Sequence, residues 1–311
     1  MGRRGRQGRP ISGILILDKP QGFTSNQALQ VVKHLYGAAK AGHTGSLDPL
    51  ATGVLPICFG EATKFTQFLL EADKSYRSTF RFGVATNTGD SDGEVIAECS
   101  AAALTAAAVE AALVNFRGQI EQVPSMFSAL KHKGEPLYKL ARQGLEVERQ
   151  ARPVTIHEFT LFAFRPGEQA EADVEIHCSK GTYVRTLAED LGAVLGVGAH
   201  VVALQRSAAG PFSASDGTTL EQLEALRGEH SALDARLKPI DSAVSDLAAI
   251  TVVESAAWHF VRGQSVLVTG LYQQAEEGDI VRVFRADGGF LGVGEVLDDG
   301  QLKPRRLVAG G

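Results

Sequence analysis

The stretch that most constrains the fold of this chain is residues 42–53, with the sequence GHTGSLDPLATG. Its three glycines allow backbone angles that other residues resist, and Pro49 biases Asp48 away from the helical region. The apolar run at 54–59 follows at once and predicts a buried strand. One carboxylate is therefore held on a constrained loop backed by the core, which is a common setting for catalytic residues. An ordinary turn with a solvated aspartate fits the same pattern.

The length and charge of the chain set limits on its organisation. It has 311 residues, which predicts about two domains, and a net charge of −5, which does not by itself indicate nucleic-acid binding. The charge is unevenly distributed, because basic residues dominate positions 1–40 and recur at 131–152, while acids gather at 221–246. A one-sided positive surface is compatible with RNA, and a solvated surface of mixed charge is the alternative.

Cysteine content and hydropathy indicate a protein of the cytoplasm. Cys58, Cys99 and Cys178 are odd in number and far apart, which favours buried, reduced thiols. No apolar run approaches the roughly 18 residues of a membrane span. The arginine-rich residues 1–10 lack the apolar segment of a secretory signal and are expected to form a disordered basic tail. We therefore expect a cytoplasmic protein with no membrane partner.

Hydrophobic periodicity predicts alternating helices and strands. Strands are expected at 14–17, 54–59, 75–84, 154–163, 171–178 and 200–204. Helices are expected from a cap at Thr24 or Ser25 to Gly37, and over 61–70, 101–114, 137–143 and 182–195. Residues 87–93 form a turn cluster. From residue 251 onward, short strands alternate with turn residues and predict a small β domain.

The order of residues in the 42–53 loop resembles the catalytic motif of the TruB family of tRNA pseudouridine synthases. Four other stretches resemble motifs of that family and occur in the family's order. They are LDKPQG at 17–22, GEATK at 60–64, DKSYR at 73–77 and KGTYVRT at 180–186. Together they cover roughly residues 11 to 210. A single short motif carries little weight, but five in order are specific.

The resemblance implies an α+β fold in which a mixed, largely antiparallel sheet is flanked by helices, followed by a small C-terminal β-barrel domain of the PUA type. We accordingly expect a catalytic domain over residues 11–246 and a PUA-like RNA-binding domain over residues 247–311. Residues 123–152 are basic and broken by proline and glycine. We expect them to form a mobile insertion that contacts RNA, and a plain surface loop with one short helix is the alternative.

The resemblance also implies a reaction, the isomerisation of one uridine to pseudouridine at position 55 in the T loop of tRNA. The enzyme would extract the base from its stack, break the N-glycosidic bond and join the base to the same ribose through carbon. This chemistry needs no cofactor, metal ion or redox step. The T-arm of tRNA is the expected partner, without a guide RNA, and the protein is expected to act as a monomer.

Five residues are implied to form the reaction site. Asp48 is the catalytic residue, since a carboxylate can form a covalent intermediate. Arg185 is expected to hold Asp48 through two hydrogen bonds and keep it ionised. Tyr76 has a ring that can stack on the extracted base and a hydroxyl near the C5 proton, and Tyr183 and Leu204 match family positions that line the pocket. From pattern alone, Arg185 would be a surface arginine and Tyr76 a core aromatic residue.

A second group of residues is expected to contact RNA outside the reacting base. His43, five residues before Asp48, matches the family position that fills the space vacated in the RNA. A polar turn residue is the alternative for His43. The basic members of this group are Lys19, Lys64, Lys131, Lys133 and Arg142.

Other functions fit the sequence less well. The glycines of residues 42–53 are not followed by the Gly-Lys-Ser/Thr of a nucleotide-binding loop, no His or Cys pair has zinc-ligand spacing, and no Gly-x-Ser-x-Gly elbow occurs. The main rival is a non-catalytic protein that remodels tRNA on the same scaffold, and the two activities are compatible. A guide-RNA-dependent relative is a third interpretation, although such relatives often carry lysine-rich tails, unlike residues 305–311.

Overall fold

The computed structural model describes residues 8–309, and its N-terminal part carries most of the elements. The strands of this part are β1 (Gly13–Lys19), β2 (Ala41–His43), β3 (Thr52–Phe59), β4 (Lys74–Phe82), β5 (Val84–Thr86), β6 (Val95–Glu98), β7 (Gly118–Gln122), β8 (Lys131–His132), β9 (Glu135–Pro136), β10 (Arg152–Arg165), β11 (Glu171–Cys178), β12 (Ala199–Ala209), β13 (Phe212–Ser213) and β14 (Thr218–Thr219). Its helices are α1 (Ser25–Leu35), α2 (Thr66–Glu71), α3 (Ala106–Leu113), α4 (Leu137–Arg142), α5 (Val184–Val194), α6 (Leu220–Ala225) and α7 (His230–Asp234).

The C-terminal part is built mainly of strands. Its elements are β15 (Ala249–Val252), α8 (Glu254–Phe260), β16 (Val266–Leu267), β17 (Ile280–Arg285), β18 (Phe290–Val296) and β19 (Gln301–Leu307). Across residues 8–309, every helix is too short or too polar to traverse a bilayer.

Ten strands of the N-terminal part form one mixed sheet. The strand order is β14-β1-β3-β12-β4-β11-β10-β7, with β2 paired to β3 and β13 paired to β12 beside this path. The β1–β14 and β3–β12 pairs are parallel, and the remaining pairs are antiparallel. This arrangement, with helices on its faces, confirms the predicted α+β class. At the centre of the sheet, β4 and β12 meet although they are far apart in the sequence.

The two faces of the sheet bury different cores. On one face, Leu15, Leu55 and Phe80 pack with buried residues of α1, α3 and α5. On the other face, Ile14 and Val54 pack with α2 and with residues of the C-terminal part. Because successive side chains of a strand point to opposite faces, β1 and β3 each contribute to both cores.

Helix α1 begins and ends where the sequence predicts. Thr24 is its N-cap, since its hydroxyl accepts a hydrogen bond from the Gln27 N–H while the Gln27 side chain accepts one from the Thr24 N–H. Leu29 and Val32 face the main core. Gly37 follows the helix with φ 58°, a conformation that glycine adopts without strain. These features set the ends of the helix, and hydrogen bonds between Ser25 and Leu47 hold it beside the 42–53 loop.

A five-stranded sheet forms the C-terminal part, in the order β15-β17-β18-β19-β16. It is a curled half-barrel filled by residues such as Phe260 and Leu291, which confirms the small β domain expected here. Val293 lies instead in the second core of the large sheet, and the ring centres of Phe290 and Phe65 are 5.5 Å apart. The two parts of the chain therefore share packed apolar contacts.

Several predicted elements differ in detail. The helix predicted at 61–70 is divided into a 3-10 turn, Gly60–Lys64, and α2, because Phe65 between them leaves helical geometry. The helix predicted at 101–114 is shorter, since it starts only after the Thr105 cap. Strands β5 and β6 form a hairpin around the predicted turn cluster, and this hairpin was not predicted.

The predicted disorder of the basic tail, residues 1–10, lies mostly outside the described residues. Where the structure describes this segment, Arg9 is anchored. It donates to Asp234 Oδ1 at 3.2 Å and to the Tyr36 carbonyl oxygen at 3.1 Å, and it forms a β-bridge with Ala38. Disorder is therefore wrong for Arg9, because long-range contacts that local composition does not reveal hold it in place.

The basic insertion, residues 123–152, has small elements of its own. Strands β8 and β9 pair as a short hairpin, and α4 follows directly, which confirms the helix predicted near 137–143. The mobility of the insertion stays a prediction.

Candidate active site

The candidate catalytic residue Asp48 lies on the loop between β2 and β3. The first residue of α1 holds this loop in place, because the Ser25 hydroxyl donates to the Leu47 carbonyl oxygen (3.1 Å) and accepts from the Leu47 N–H (2.7 Å). It is also packed closely against β12. Gly53 has φ 97°, and a Cβ at this position would lie 2.3 Å from the Arg206 carbonyl oxygen. Glycine is thus required there, and the loop holds Asp48 in one place.

Arg185 is 5% exposed and lies in the first turn of α5, as predicted. Its Nε lies 3.0 Å from Asp48 Oδ2 and 3.7 Å from Asp90 Oδ2. Its Nη1 donates to the Thr88 carbonyl oxygen (2.7 Å), and its Nη2 donates to the Phe127 carbonyl oxygen (2.9 Å). The expected pair of hydrogen bonds to Asp48 is therefore wrong, because backbone oxygens of two other segments bind the terminal nitrogens. One guanidinium joins the catalytic loop, the turn after β5 and the insertion.

Asp48 and Arg185 line a cavity of about 430 Å³, a volume within the usual range for ligand pockets. Tyr76 of β4, Tyr183 at the start of α5 and Leu204 of β12 line the same cavity. The insertion supplies one side of its wall. The fold thus brings together the five residues predicted for the reaction site, which come from elements far apart in the sequence.

The cavity changes the acidity of the Asp48 carboxyl. Burial raises the pKa of Asp48 above its ordinary value, while the neighbouring Arg185 cation opposes this shift and the Asp90 carboxylate adds to it. The Asp48 side chain remains 42% exposed, with its open side toward the cavity. The carboxyl is therefore partly desolvated, in contact with a cation and accessible, which suits a nucleophile.

The Tyr76 hydroxyl is also affected by its surroundings. Burial raises the pKa of Tyr76, and the adjacent Arg206 guanidinium opposes the shift. Tyr76 and Arg206 are directly paired across β4 and β12. At neutral pH the phenol stays protonated, so it acts as a hydrogen-bond donor or proton relay while its ring forms part of the cavity wall.

Comparisons with known proteins identify the family of this chain. Residues 33–184 match the model of the TruB family pseudouridylate synthase N-terminal domain. Residues 185–245 match the tRNA pseudouridylate synthase B C-terminal domain, and residues 248–308 match the C-terminal domain of pseudouridine synthase II TruB. A protein of Saccharophagus degradans named tRNA pseudouridine synthase B is 57% identical over 311 residues, covering 99% of each chain. The chain belongs to the TruB family. A Pseudomonas aeruginosa protein of the same name is 53% identical over 302 residues, covering 96% of this chain and 97% of its own.

Solved structures share the TruB fold at low sequence identity. A chain of a Cbf5–Nop10–Gar1 complex aligns with a TM-score of 0.69 and 24% identity, over 92% of this chain and 78% of that chain. A chain of an H/ACA ribonucleoprotein bound to a substrate RNA containing 2′-deoxyuridine aligns with a TM-score of 0.71 and 20% identity, over 98% and 91%. At these identities the likeness concerns the fold alone.

Arg206 is a TruB-site residue that the sequence analysis missed. It is 1% exposed, its Nε donates to the Val54 carbonyl oxygen (2.7 Å), and its Nη2 donates to the Gly45 carbonyl oxygen (3.0 Å). It thereby ties both ends of the 42–53 loop to β12, next to Tyr76. An arginine following the apolar strand predicted at 200–204 was the only signal that the sequence offered.

Two further residues position Arg185 and were not predicted. Asp90 is buried, accepts a hydrogen bond from the Thr88 hydroxyl (2.6 Å) and faces Arg185. Gln122 is buried at the end of β7, where its side-chain amide accepts from the Tyr183 N–H (3.0 Å) and donates to the Tyr183 carbonyl oxygen (3.2 Å). This clamp fixes the start of α5. Local patterns do not reveal it, because the two residues are 61 positions apart.

Lys19 does not lie on an RNA-facing surface. It is fully buried, and its Nζ donates to the carbonyl oxygens of Pro20 (2.9 Å) and Phe23 (2.7 Å). The expected RNA contact of Lys19 is therefore wrong, because its ammonium group is engaged by backbone inside the fold. Burial lowers its pKa to about 8, and the Asp48 carboxylate opposes this shift. The Lys19 ammonium group therefore interacts electrostatically with Asp48 from inside the fold.

His43 ends β2, two residues before Gly45 in the cavity wall. Its Nδ1 is buried and has no hydrogen-bond partner among residues 8–309. Burial lowers the pKa of His43, and Arg206 adds to the shift, so the ring is neutral at neutral pH. Its contact with RNA stays a prediction.

The remaining predicted RNA contacts lie outside the cavity wall. Lys131, Lys133 and Arg142 are exposed on the insertion, and the Arg142 guanidinium lies 5.6 Å from the ring centre of Tyr138. Lys64 lies between the N-terminal and C-terminal parts of the chain, where its Nζ donates to a backbone oxygen of β19. The contacts of all four with RNA stay predictions. Within the described part of the chain, no group of three or more His, Cys, Asp or Glu side chains is arranged to hold a metal ion.

Proposed function

We propose that this chain converts uridine to pseudouridine at position 55 in the T loop of tRNA. The observation that carries the proposal is the contact of Asp48 with the buried Arg185, at 3.0 Å, in a cavity that Tyr76 also lines. Membership of the TruB family, and relatives named tRNA pseudouridine synthase B, support the same reaction. The T-loop position is drawn from the family that the catalytic loop resembles.

The proposed reaction is an isomerisation that consumes no second reactant. The N1–C1′ bond of the target uridine breaks, the base turns, and a C5–C1′ bond forms to the same ribose. The proton on C5 leaves and N1 gains one, so atoms and electrons balance within the substrate. Asp48 acts at base C6 or at the ribose, and each route uses the same partly desolvated carboxylate.

Arg185 acts in this proposal by holding the carboxylate. Its Nε faces Asp48, and the other two guanidinium nitrogens donate to the Thr88 and Phe127 carbonyl oxygens. A planar cation held at three points cannot follow the carboxylate when it moves. It therefore keeps Asp48 oriented and ionised before the substrate arrives, which is the kind of preorganisation that lowers a reaction barrier.

Tyr76 is assigned to the base itself. Tyr76 belongs to the cavity wall, where an extracted base can stack on its ring. Because its hydroxyl stays protonated at neutral pH, we assign it the part of a relay for the C5 proton. It does not act as a free phenolate.

Substrate access follows from the walls of the cavity. The target uridine must leave its stack in the RNA, which costs a few kcal/mol, and the cavity must repay this cost with contacts. The insertion forms one wall and binds Arg185 through the Phe127 carbonyl oxygen. We therefore assign residues 123–152 to closing over the bound RNA, residues 11–246 to catalysis and residues 247–311 to further RNA contacts. A single chain acts without a guide RNA.

Incubating the purified chain alone with unmodified tRNA, and with an isolated T-arm stem-loop, tests the proposal. Pseudouridine at position 55 in both RNAs is expected, and it is mapped by chemical labelling and primer extension. Asp48→Asn serves as the inactive comparison, and Asp246→Asn, an exposed aspartate outside the cavity, serves as the matched active control. RNA that is bound but never converted would favour the rival RNA-remodelling protein.

A further inference from the structure

Two buried cations, Arg206 of β12 and Lys74 of β4, belong to the wall of the cavity that contains Asp48 (the Asp48 cavity). Arg206 is 1% exposed and Lys74 is 8% exposed. Among residues 8–309, no carboxylate lies within ion-pair distance of either side chain. Burying a charge is costly unless a group of opposite charge compensates it. No ion pair within the described chain therefore offsets the burial of these two cations.

Backbone carbonyl oxygens hold both side chains in place. Arg206 donates through Nε to the Val54 carbonyl oxygen and through Nη2 to the Gly45 carbonyl oxygen. Lys74 Nζ donates to three carbonyl oxygens at the end of α2, those of Leu69 (3.2 Å), Leu70 (2.7 Å) and Ala72. These dipoles satisfy N–H groups, but a neutral partner does not cancel a full charge. The wall of the Asp48 cavity therefore keeps two positive charges in fixed positions.

The two charges also repel each other. Burial lowers the pKa of Lys74 to about 8, the nearby Arg206 cation adds to the shift, and Asp73, beyond ion-pair distance, opposes it. Lys74 is thus mostly protonated at neutral pH. The Asp48 carboxylate does not balance the pair, since its pKa responds to burial and to three other charged groups, Arg185, Asp90 and Lys19. An anion placed in the cavity would relieve this repulsion.

Both charges lie beside Tyr76, the residue assigned to the target base. Lys74 is two positions before Tyr76 on β4, so the two side chains lie on the same face of the sheet. Arg206 is directly opposite Tyr76 on β12. Side chains paired in this way have Cβ atoms about 4.5–5.5 Å apart. A uracil stacked on the Tyr76 ring therefore lies next to both cations.

The proposed reaction places negative charge on this base. When the N1–C1′ bond breaks, its electron pair stays on N1, and the detached uracil is an anion delocalised over N1, O2 and O4. Attack at C6 places an electron pair on C5 and O4, so negative charge reaches the base by that route too. The charge disappears when C5 uses its electron pair to bond to C1′. The C5 proton then leaves, and N1 gains a proton.

We propose that Arg206 and Lys74 stabilise the negative charge that the uracil base carries while it is detached from C1′. Cations fixed before the reaction starts stabilise such a charge without having to reorganise. The inference rests on the proposed function for the identity of the reaction. The structural alternative is that Arg206 only ties the 42–53 loop to β12 and that Lys74 only caps the end of α2.

The test compares a T-arm stem-loop that carries uridine at the target position with one that carries 4-thiouridine there. The 4-thiouracil anion is the weaker base and needs less stabilisation, so the loss of a nearby cation should slow its reaction less. Arg206→Gln and Lys74→Gln are assayed under single-turnover conditions in the full-length chain. Arg236→Gln, which removes an exposed arginine outside the cavity, is the control for net charge.

We expect Arg206→Gln and Lys74→Gln to lower the rate about a hundredfold with uridine and only about tenfold with 4-thiouridine. Their RNA affinity should stay within about threefold of wild type, because phosphate contacts dominate it. Arg236→Gln should leave rate and affinity unchanged. Denaturant unfolding checks that each variant is folded.

Lys74→Arg supplies a second comparison, which uses uridine RNA alone. Glutamine keeps an N–H donor for the α2 carbonyl oxygens but removes the charge, whereas arginine keeps both. Lys74→Arg should therefore react at least about ten times faster than Lys74→Gln. This comparison decides the matter if Arg206→Gln does not fold or if wild type does not convert 4-thiouridine.

Three results would overturn the inference. The first is an equal loss of rate with uridine and 4-thiouridine, which would assign both residues to structure alone. The second is equal activity of Lys74→Gln and Lys74→Arg. The third is a loss of RNA affinity as large as the loss of rate. Failure of the proposed function is separate, because the wild-type chain would then form no pseudouridine in the uridine stem-loop.

Discussion

Arg185 Nε lies 3.0 Å from Asp48 Oδ2, while both terminal nitrogens of the same guanidinium donate to backbone oxygens of Thr88 and Phe127. Backbone carbonyl oxygens therefore hold the Arg185 guanidinium in place, and the guanidinium in turn orients the Asp48 carboxylate. Any change that frees the guanidinium is expected to disturb catalysis before it disturbs RNA affinity.

Arg185→Lys keeps the charge but removes this geometry, because one ammonium cannot reach Asp48 and both carbonyl oxygens. We expect the rate of pseudouridine formation under single-turnover conditions to fall at least about a hundredfold. Unfolding stability should fall by about 1–3 kcal/mol, since buried backbone oxygens lose their donors. Arg236→Lys is the matched control for an exposed arginine. A wild-type rate in Arg185→Lys would remove Arg185 from the proposed mechanism.

Asp48→Asn should abolish pseudouridine formation and leave tRNA affinity within roughly tenfold of wild type, because phosphate contacts dominate RNA affinity. The measurement is product mapping together with equilibrium binding, using protein prepared free of wild-type enzyme. Measurable turnover by such a preparation would contradict the assignment of Asp48. A loss of binding without a folding defect would instead give the carboxylate a role in holding RNA.

Tyr76→Phe separates the ring from the hydroxyl. The ring stays in the cavity wall, so binding should be normal, while loss of the proton relay should slow the reaction by about a hundredfold or more. Single-turnover rates and binding constants are measured on the same RNA. Full activity would leave Tyr76 with stacking alone.

Glu189 of α5 provides a pH-dependent test of stability. Burial raises its pKa to about 7, with Arg185 opposing the shift and Asp190 adding to it. A raised carboxyl pKa means that the fold favours the protonated form. Its stabilising contribution is thus complete below the unfolded-state pKa of 4.5 and is lost as the pH rises through about 7.

We therefore expect Glu189→Gln to change stability little near about pH 5 and to raise it by about 1–2 kcal/mol near about pH 8, after allowing for partial exposure of the side chain. Denaturant unfolding at both pH values measures the difference. Glu254→Gln, at an exposed position, controls for the loss of one charge. An equal effect of Glu189→Gln at both pH values would show that Glu189 is not desolvated in the fold.

The sequence by itself determined the elements whose causes are local. The glycines and Pro49 define the loop that carries Asp48, the Thr24 cap starts α1, and alternation along β4 and β11 places their apolar residues on one face. The order of five motifs identified the family and, with it, the residues of the cavity. In each case the information lies within a few neighbouring residues, where backbone sterics and periodicity act.

Only the tertiary structure decided what the charged side chains do. Arg206, for which no role was predicted, ties the loop that carries Asp48 to β12. Lys19, which was predicted to contact RNA, is buried, and its ammonium group donates to nearby backbone carbonyl oxygens. Arg185 contacts Asp48 through one nitrogen because its other two bind Thr88 and Phe127, which are 97 and 58 positions away. A buried charge must find partners wherever the fold supplies them, and those partners are set by packing between distant segments. No pattern within a short window of sequence contains that information.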